Sequence, residues 1–109
     1  MRLGAMQDWP LRVMRLVDHA EREHGAQEIV GATGEEIVRT NWRTVARDGR
    51  RMAQALERMG IKPGDRVATL AMNSIRHLTS WYGAIGMGRV LHTMVAGSTV
   101  YQYAAPDRA

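Results

Sequence analysis

The stretch from Arg66 to Thr93 restricts this chain more than any other part of it. Arg66 to Met72 is a mostly apolar run of the kind that forms a buried strand. Asn73-Ser74 follows, and either side chain can accept from the free N–H groups that open a helix. Ile75, Leu78, Tyr82 and Ile85 then recur at helical spacing with Trp81 beside them, and Gly86 and Gly88 supply a stop. Arg89-Val90-Leu91-His92-Thr93 reads as a second short strand. Strand, helix and strand in that order make a βαβ unit, with parallel strands joined by a right-handed crossover. The expected fold class is therefore α/β.

Upstream, Met1 to Pro10 reads as an extended arm closed by Trp9-Pro10. A first helix is expected from Leu11 to about His24, carrying Val13, Leu16, Val17 and Ala20 at helical spacing and stopped by Gly25. Glu28 to Ala32 and Glu36 to Trp42 are β-prone runs separated by Thr33-Gly34-Glu35, which predicts a hairpin with Gly34 at positive φ. A second helix is expected over Arg43 to Met59. At about 100° per residue, Val45, Gly49, Met52, Leu56 and Met59 share one side, and Arg43, Arg47, Arg50, Arg51 and Arg58 the other. Gly60 ends it. In Lys62-Pro63-Gly64-Asp65, Pro presets one corner of a turn and Gly takes positive φ at the next. Residues 94–109 show no periodicity, and Pro106 interrupts them, so no element is expected there.

Composition removes several function classes. With no Cys among 109 residues, disulfides, thiolate metal sites and a Cys nucleophile are excluded. No apolar run is long enough for a signal peptide or a membrane span, so the expectation is a cytoplasmic protein. Phe is absent, and eight Met and three Trp supply much of the large apolar volume. The net charge of +4 comes almost wholly from Arg, since Lys62 is the sole lysine.

Several short motifs, in order, resemble one family. Met6-Gln7-Asp8-Trp9-Pro10-Leu11 is similar to the opening of medium- and long-chain fatty acyl-CoA synthetases. Ile37 to Trp42 resembles the strand before the second helix in the wider adenylate-forming, AMP-binding superfamily, with Trp42 at the aromatic position. Gly60-Ile61-Lys62-Pro63-Gly64-Asp65-Arg66-Val67-Ala68 resembles that family's turn and strand, and Asn73-Ser74, Trp81-Tyr82-Gly83 and Ile85 to Gly88 continue the series. The resemblance covers residues 1–93 and implies the N-terminal part of an acyl-CoA synthetase domain: an incomplete subdomain of helix, β-hairpin, helix and βαβ unit. Two departures stand out. Arg89 occupies a position where the family has Ala, and after Thr93 no Asn-Pro-Arg-Leu-like loop follows. Residues 94–109 are therefore expected to be a non-matching tail, of the kind a frameshift or a shortened gene copy leaves.

The resemblance implies ATP-dependent activation of a fatty acid to an acyl-adenylate, then transfer to coenzyme A, with Mg²⁺ as cofactor. Phosphoryl chemistry of this kind needs a Gly/Ser/Thr-rich cradle and a Lys. Lys62 lies in a turn without such a cradle, so no catalytic, cofactor-binding or metal-binding residue is assigned and the chain is expected to be inactive alone. Gly83 to Gly88 sits at a helix end rather than a helix start, and is read as helix termination rather than a nucleotide loop. His19 and His24 are about 140° apart around a helix and do not share a metal. His77 and His92 are isolated, and Ser98 lacks the setting of a nucleophile. Trp9, Trp42, Trp81 and Tyr82 are read as core or interface in preference to an acyl pocket. Two alternatives stay open: one chain of a split synthetase whose partner carries the missing part, and a small basic nucleic-acid-binding protein using the Arg face of the second helix. A solvated face is the preferred account of those Arg residues.

Overall fold

The computed structural model describes residues 4–5, 8–10, 12–87, 90–95 and 98–102. The order is α1 (Val13–His24), β1 (Glu28–Thr33), β2 (Glu36–Asn41), α2 (Trp42–Arg58), β3 (Arg66–Leu70), α3 (Ile75–Gly86), β4 (Val90–Val95) and β5 (Ser98–Gln102). The α/β class is that observed, and the elements from α1 to β4 follow in the expected order. Met6, Gln7 and Leu11 of the opening motif, Gly88 and Arg89 before the last parallel strand, and residues 103–109 lie outside the described residues.

Element boundaries follow local chemistry. β1 and β2 form an antiparallel pair from Glu28↔Asn41 to Thr33↔Glu36, and Gly34 turns between them at φ 60°. Asn41 then caps α2, its Oδ1 accepting from the Thr44 N–H at 2.9 Å. The other end of α2 closes with two reversed hydrogen bonds: Gly60 N–H to the Glu57 carbonyl (2.9 Å) and Ile61 N–H to the Leu56 carbonyl (3.2 Å). Gly60 adopts φ 84° between them, and Ile61 and Leu56 both belong to the main apolar cluster. Those are the bonds and the apolar contact of a Schellman stop. Pro63 and Gly64 occupy the turn corners, with Gly64 at φ 89° and Asp65 N–H bonded to the Lys62 carbonyl. The Asp65 carboxylate returns the favour, accepting from the Lys62 N–H at 2.6 Å. Ser74 caps α3 by accepting from the His77 N–H.

β3 and β4 pair in parallel, Arg66↔Val90 to Leu70↔Met94, with α3 as the crossover. Val67 and Thr69 on β3 are half-buried while Arg66, Ala68 and Leu70 are exposed. The helices thus cover one face of this strand, and the other is bare among the described residues. The core lies between α2, α3 and β3: Leu56 and Ala84 are enclosed by Met52, Ile61, Val67, Trp81, Ile85 and Met87. Val17, Val45 and Ala46 are buried where α1 joins the helical layer. Among the described residues no helix is long and apolar enough to cross a membrane.

Four expectations need correction. The run from Arg66 to Met72, read as a buried strand, ends as a strand at Leu70 and is buried on one face only, with Leu70 and Met72 exposed. Met59, assigned to the apolar side of α2, is 75% exposed, because the Schellman stop turns the chain away before that position reaches the core. Leu16, assigned to the buried stripe of α1, is 70% exposed, and Met14 and Val17 face inward instead. No element was expected after Thr93, yet β4 continues to Val95 and β5 returns antiparallel to it, from Val95↔Ser98 to His92↔Gln102. A register irregularity between Thr93 and Met94 accompanies this pairing. It breaks the period-2 pattern by which such a hairpin is found in sequence.

Candidate functional site

In α/β sheets, ligands gather at the C-terminal ends of the parallel strands. Here that end is Leu70 to Ser74, where β3 runs out and α3 begins. The β1–β2 hairpin folds against it through a close contact. A Cβ placed on Gly31 would lie 2.9 Å from Ile75 Cγ1, so glycine is what lets the hairpin reach α3. A groove of about 560 Å³ results, bordered by Gly31, Val38, Arg39, Ser74, Ile75 and Arg76. Arg39 is held across the hairpin by Glu28 at 2.7 Å. The Ser74 hydroxyl is committed to its own helix. The groove therefore offers exposed apolar surface and a few charges, but no nucleophile beside a base. From sequence Ile75 is read only as part of the apolar stripe of α3, and Gly31 and Arg39 are given no site role. A Gly inside a β-prone run was the available signal.

The Arg face of α2 divides. Arg50 reaches α1 and makes a fork onto Glu21, with bonds of 2.5 and 3.1 Å, plus a 3.0 Å bond to Asp18. Arg47 bonds Asp48 at 2.9 Å, and Arg51 lies 3.6 Å from the same carboxylate. Three of the five Arg are thus answered by acids, two of which come from another helix. The hydrogen bond from Arg50 holds the Glu21 carboxyl below its ordinary value of 4.5. Arg47 does the same to Asp48. A carboxyl whose pKa is depressed by folding contributes stability above its unfolded value and loses it as pH falls through the folded one. Acid titration of the chain should therefore show a loss of stability that begins near pH 4.5 and continues below it. Arg50→Gln should flatten that limb, by no more than about 1 kcal/mol for so exposed a pair. Urea midpoints at a series of pH values would check this, and an unchanged acid limb in the variant would count against the pairing.

The histidines divide too. His77 is 8% exposed, with Nε2 3.0 Å from Thr69 Oγ1, so it ties α3 to β3. His19 and His24 meet edge to face with ring centroids 5.8 Å apart, closer than their angular separation suggests, because both side chains are long enough to lean together. Among the described residues no three His, Asp or Glu side chains converge as a metal site would require. Trp42, Tyr82 and Trp81 form a half-buried chain of rings, with centroids 6.2 and 5.8 Å apart. Trp9 stands apart from them, under Arg15. Ser98 opens β5 and pairs with Val95, away from any strand-to-helix elbow. Of the glycines read as helix termination, Gly86 does end α3, but Gly83 is buried where α3 crosses α2.

The model of AMP-binding enzymes matches residues 16–105, beyond the Thr93 at which resemblance was expected to lapse. The chain is similar to 3-methylmercaptopropionyl-CoA ligase of Ruegeria lacuscaerulensis, 47% identical over 93 residues, which are 84% of this chain and 17% of that protein. It is also similar to medium-chain-fatty-acid–CoA ligase of Ectopseudomonas oleovorans, 45% identical with the same shares. In structure it resembles fatty acid AMP ligase from Legionella pneumophila, with a TM-score of 0.64 and 20% identity, over 73% of this chain and 15% of that one. The chain spans about a sixth of the length of the curated relatives it matches.

Proposed function

The chain belongs to the family of AMP-binding enzymes, and on that premise we propose that it serves an ATP-dependent acyl-CoA ligase as a structural subdomain. The activity assigned to the whole is attack of a fatty or related carboxylate on the α-phosphorus of ATP, releasing pyrophosphate. The coenzyme A thiol then displaces AMP from the acyl-adenylate. The carboxylic acid, ATP, Mg²⁺ and coenzyme A are bound mainly by parts of the ligase other than this chain, and the reaction takes place in the cytoplasm. The single observation that carries this reading is the 45–47% identity to two acyl-CoA ligases. The bare face of β3 gives the subdomain its role, since parallel strands are ordinarily covered on both faces.

A separate chain supplying the rest is a second reading supported by that same face. The nucleic-acid alternative loses its main support, because Arg47, Arg50 and Arg51 are already engaged by carboxylates. Exchange of radiolabelled pyrophosphate into ATP, with a medium-chain fatty acid present, tests the proposal. The chain alone should show no exchange above background. Mixing it with the Ectopseudomonas ligase lacking its own matching segment should restore exchange. Exchange by the chain alone, or none in the mixture despite a stable complex, would refute it.

A further inference from the structure

We propose that the outer face of α1, together with Trp9, docks onto the headgroup region of an anionic lipid bilayer. α1 has two unlike sides. Val17 is buried and Met14 half-buried against the other helices, while Leu16 stands 70% exposed on the opposite side and Trp9 49% exposed beside it. Around these two lie Arg12, Arg15, His19 and Arg22, bordering a shallow groove of about 850 Å³. The Arg15 guanidinium sits 5.0 Å above the Trp9 ring.

Charge on this face is uneven in a way that matters. Asp18 also lines the groove but bonds Arg50 of α2, and Glu23 is paired with Arg22. Among the described residues neither Arg12 nor Arg15 has a carboxylate within ion-pair range. The result is a pair of uncompensated guanidinium groups set around an exposed indole and an exposed leucine.

That combination selects a lipid surface over the other polyanions. An indole prefers the boundary between headgroups and acyl chains, a leucine gains by entering it, and guanidinium groups at their edge meet lipid phosphates. A nucleic-acid groove has no comparable place for Leu16. The Arg face of α2 provides an internal contrast, since its charges are largely paired and no large apolar residue stands exposed among them.

Co-sedimentation with vesicles of phosphatidylcholine, with and without phosphatidylglycerol, tests the proposal at low salt. The chain should bind the anionic vesicles and leave the neutral ones. Each Arg near such a surface is worth about fivefold in binding, so Arg12→Gln/Arg15→Gln should weaken it about 25-fold. Arg12→Lys/Arg15→Lys keeps the charge and should bind. Arg47→Gln/Arg51→Gln removes the same net charge from α2 and should also bind as the unaltered chain does. All these side chains are exposed, so circular dichroism should show the same helix content throughout. No binding to anionic vesicles would overturn the proposal. An equal loss in the α1 and α2 glutamine variants would overturn it too, since net charge alone would then be the cause.

Discussion

Gly83→Leu is expected to destabilise the chain by about 3 kcal/mol or more, and Gly83→Ala by about 1–3 kcal/mol. Both act at the crossing of α2 and α3. A Cβ at position 83 would lie 2.8 Å from Met52 Cβ and 2.9 Å from the Gly49 carbonyl oxygen. Met52 can swing part of its flexible side chain away, but the carbonyl belongs to the α2 backbone. The helices must therefore separate, and Leu56 and Ala84 at the centre of the core lie between the same two elements. Alanine is ordinarily the better helix former by about 0.5–1 kcal/mol, so a net loss at Gly83 would show that packing outweighs propensity. Gly49 supplies the control. A Cβ there would meet its nearest neighbours at 3.7–3.8 Å, an ordinary contact, so Gly49→Ala should be neutral or stabilising. Urea unfolding of the three variants reads both signs. Equal effects of alanine at Gly49 and Gly83 would contradict the described crossing.

Leu56→Ala should cost about 2–5 kcal/mol, the range for emptying a packed leucine site. Leu56 is enclosed by residues from α2, β3, α3 and the turn at Ile61, so the cavity would border four segments. A chain of this size has about 5–15 kcal/mol of stability in all, and the bare face of β3 argues for the low end. The change should then move the urea midpoint by a large fraction of its value. Met59→Ala, one turn further along and 75% exposed, should stay within about 0.5 kcal/mol. The contrast matters because both residues lie on the same side of an ideal helix.

What made most of the fold legible was punctuation. Gly34, Gly60 and Gly64 each adopt the positive φ that their places between elements demand, and Ser74 caps the helix it precedes. Such signals act within four or five residues, so a single sequence displays them. The misreadings arose where a distant partner decides. Whether Leu16 or Met14 of α1 turns inward depends on where α2 and α3 lie. Gly83 reads as a helix terminator until α2 is placed against it. Arg50 reads as a surface charge until Asp18 and Glu21, some thirty residues earlier, are brought to it. β5 was hidden because the register irregularity at Thr93 and Met94 spoils the alternation expected of a hairpin. As for the candidate site, Ile75 and Ser74 are visible in sequence as the start of a capped helix. The groove under Gly31 is not, since it exists only where a hairpin meets a helix more than forty residues away.

Among the described residues every strand pairing joins strands consecutive in the chain, β1 with β2, β3 with β4, and β4 with β5. A ribosome adds about 5–20 residues per second, whereas a hairpin closes in about 1–10 μs. The order of synthesis can therefore also be the order of assembly, with the hairpin closed before α2 is finished. β3 alone must wait, for the residues 71–89 that separate it from its parallel partner, an interval of about 1–4 s at that rate. During that interval the chain depends on the first two helices to shelter it.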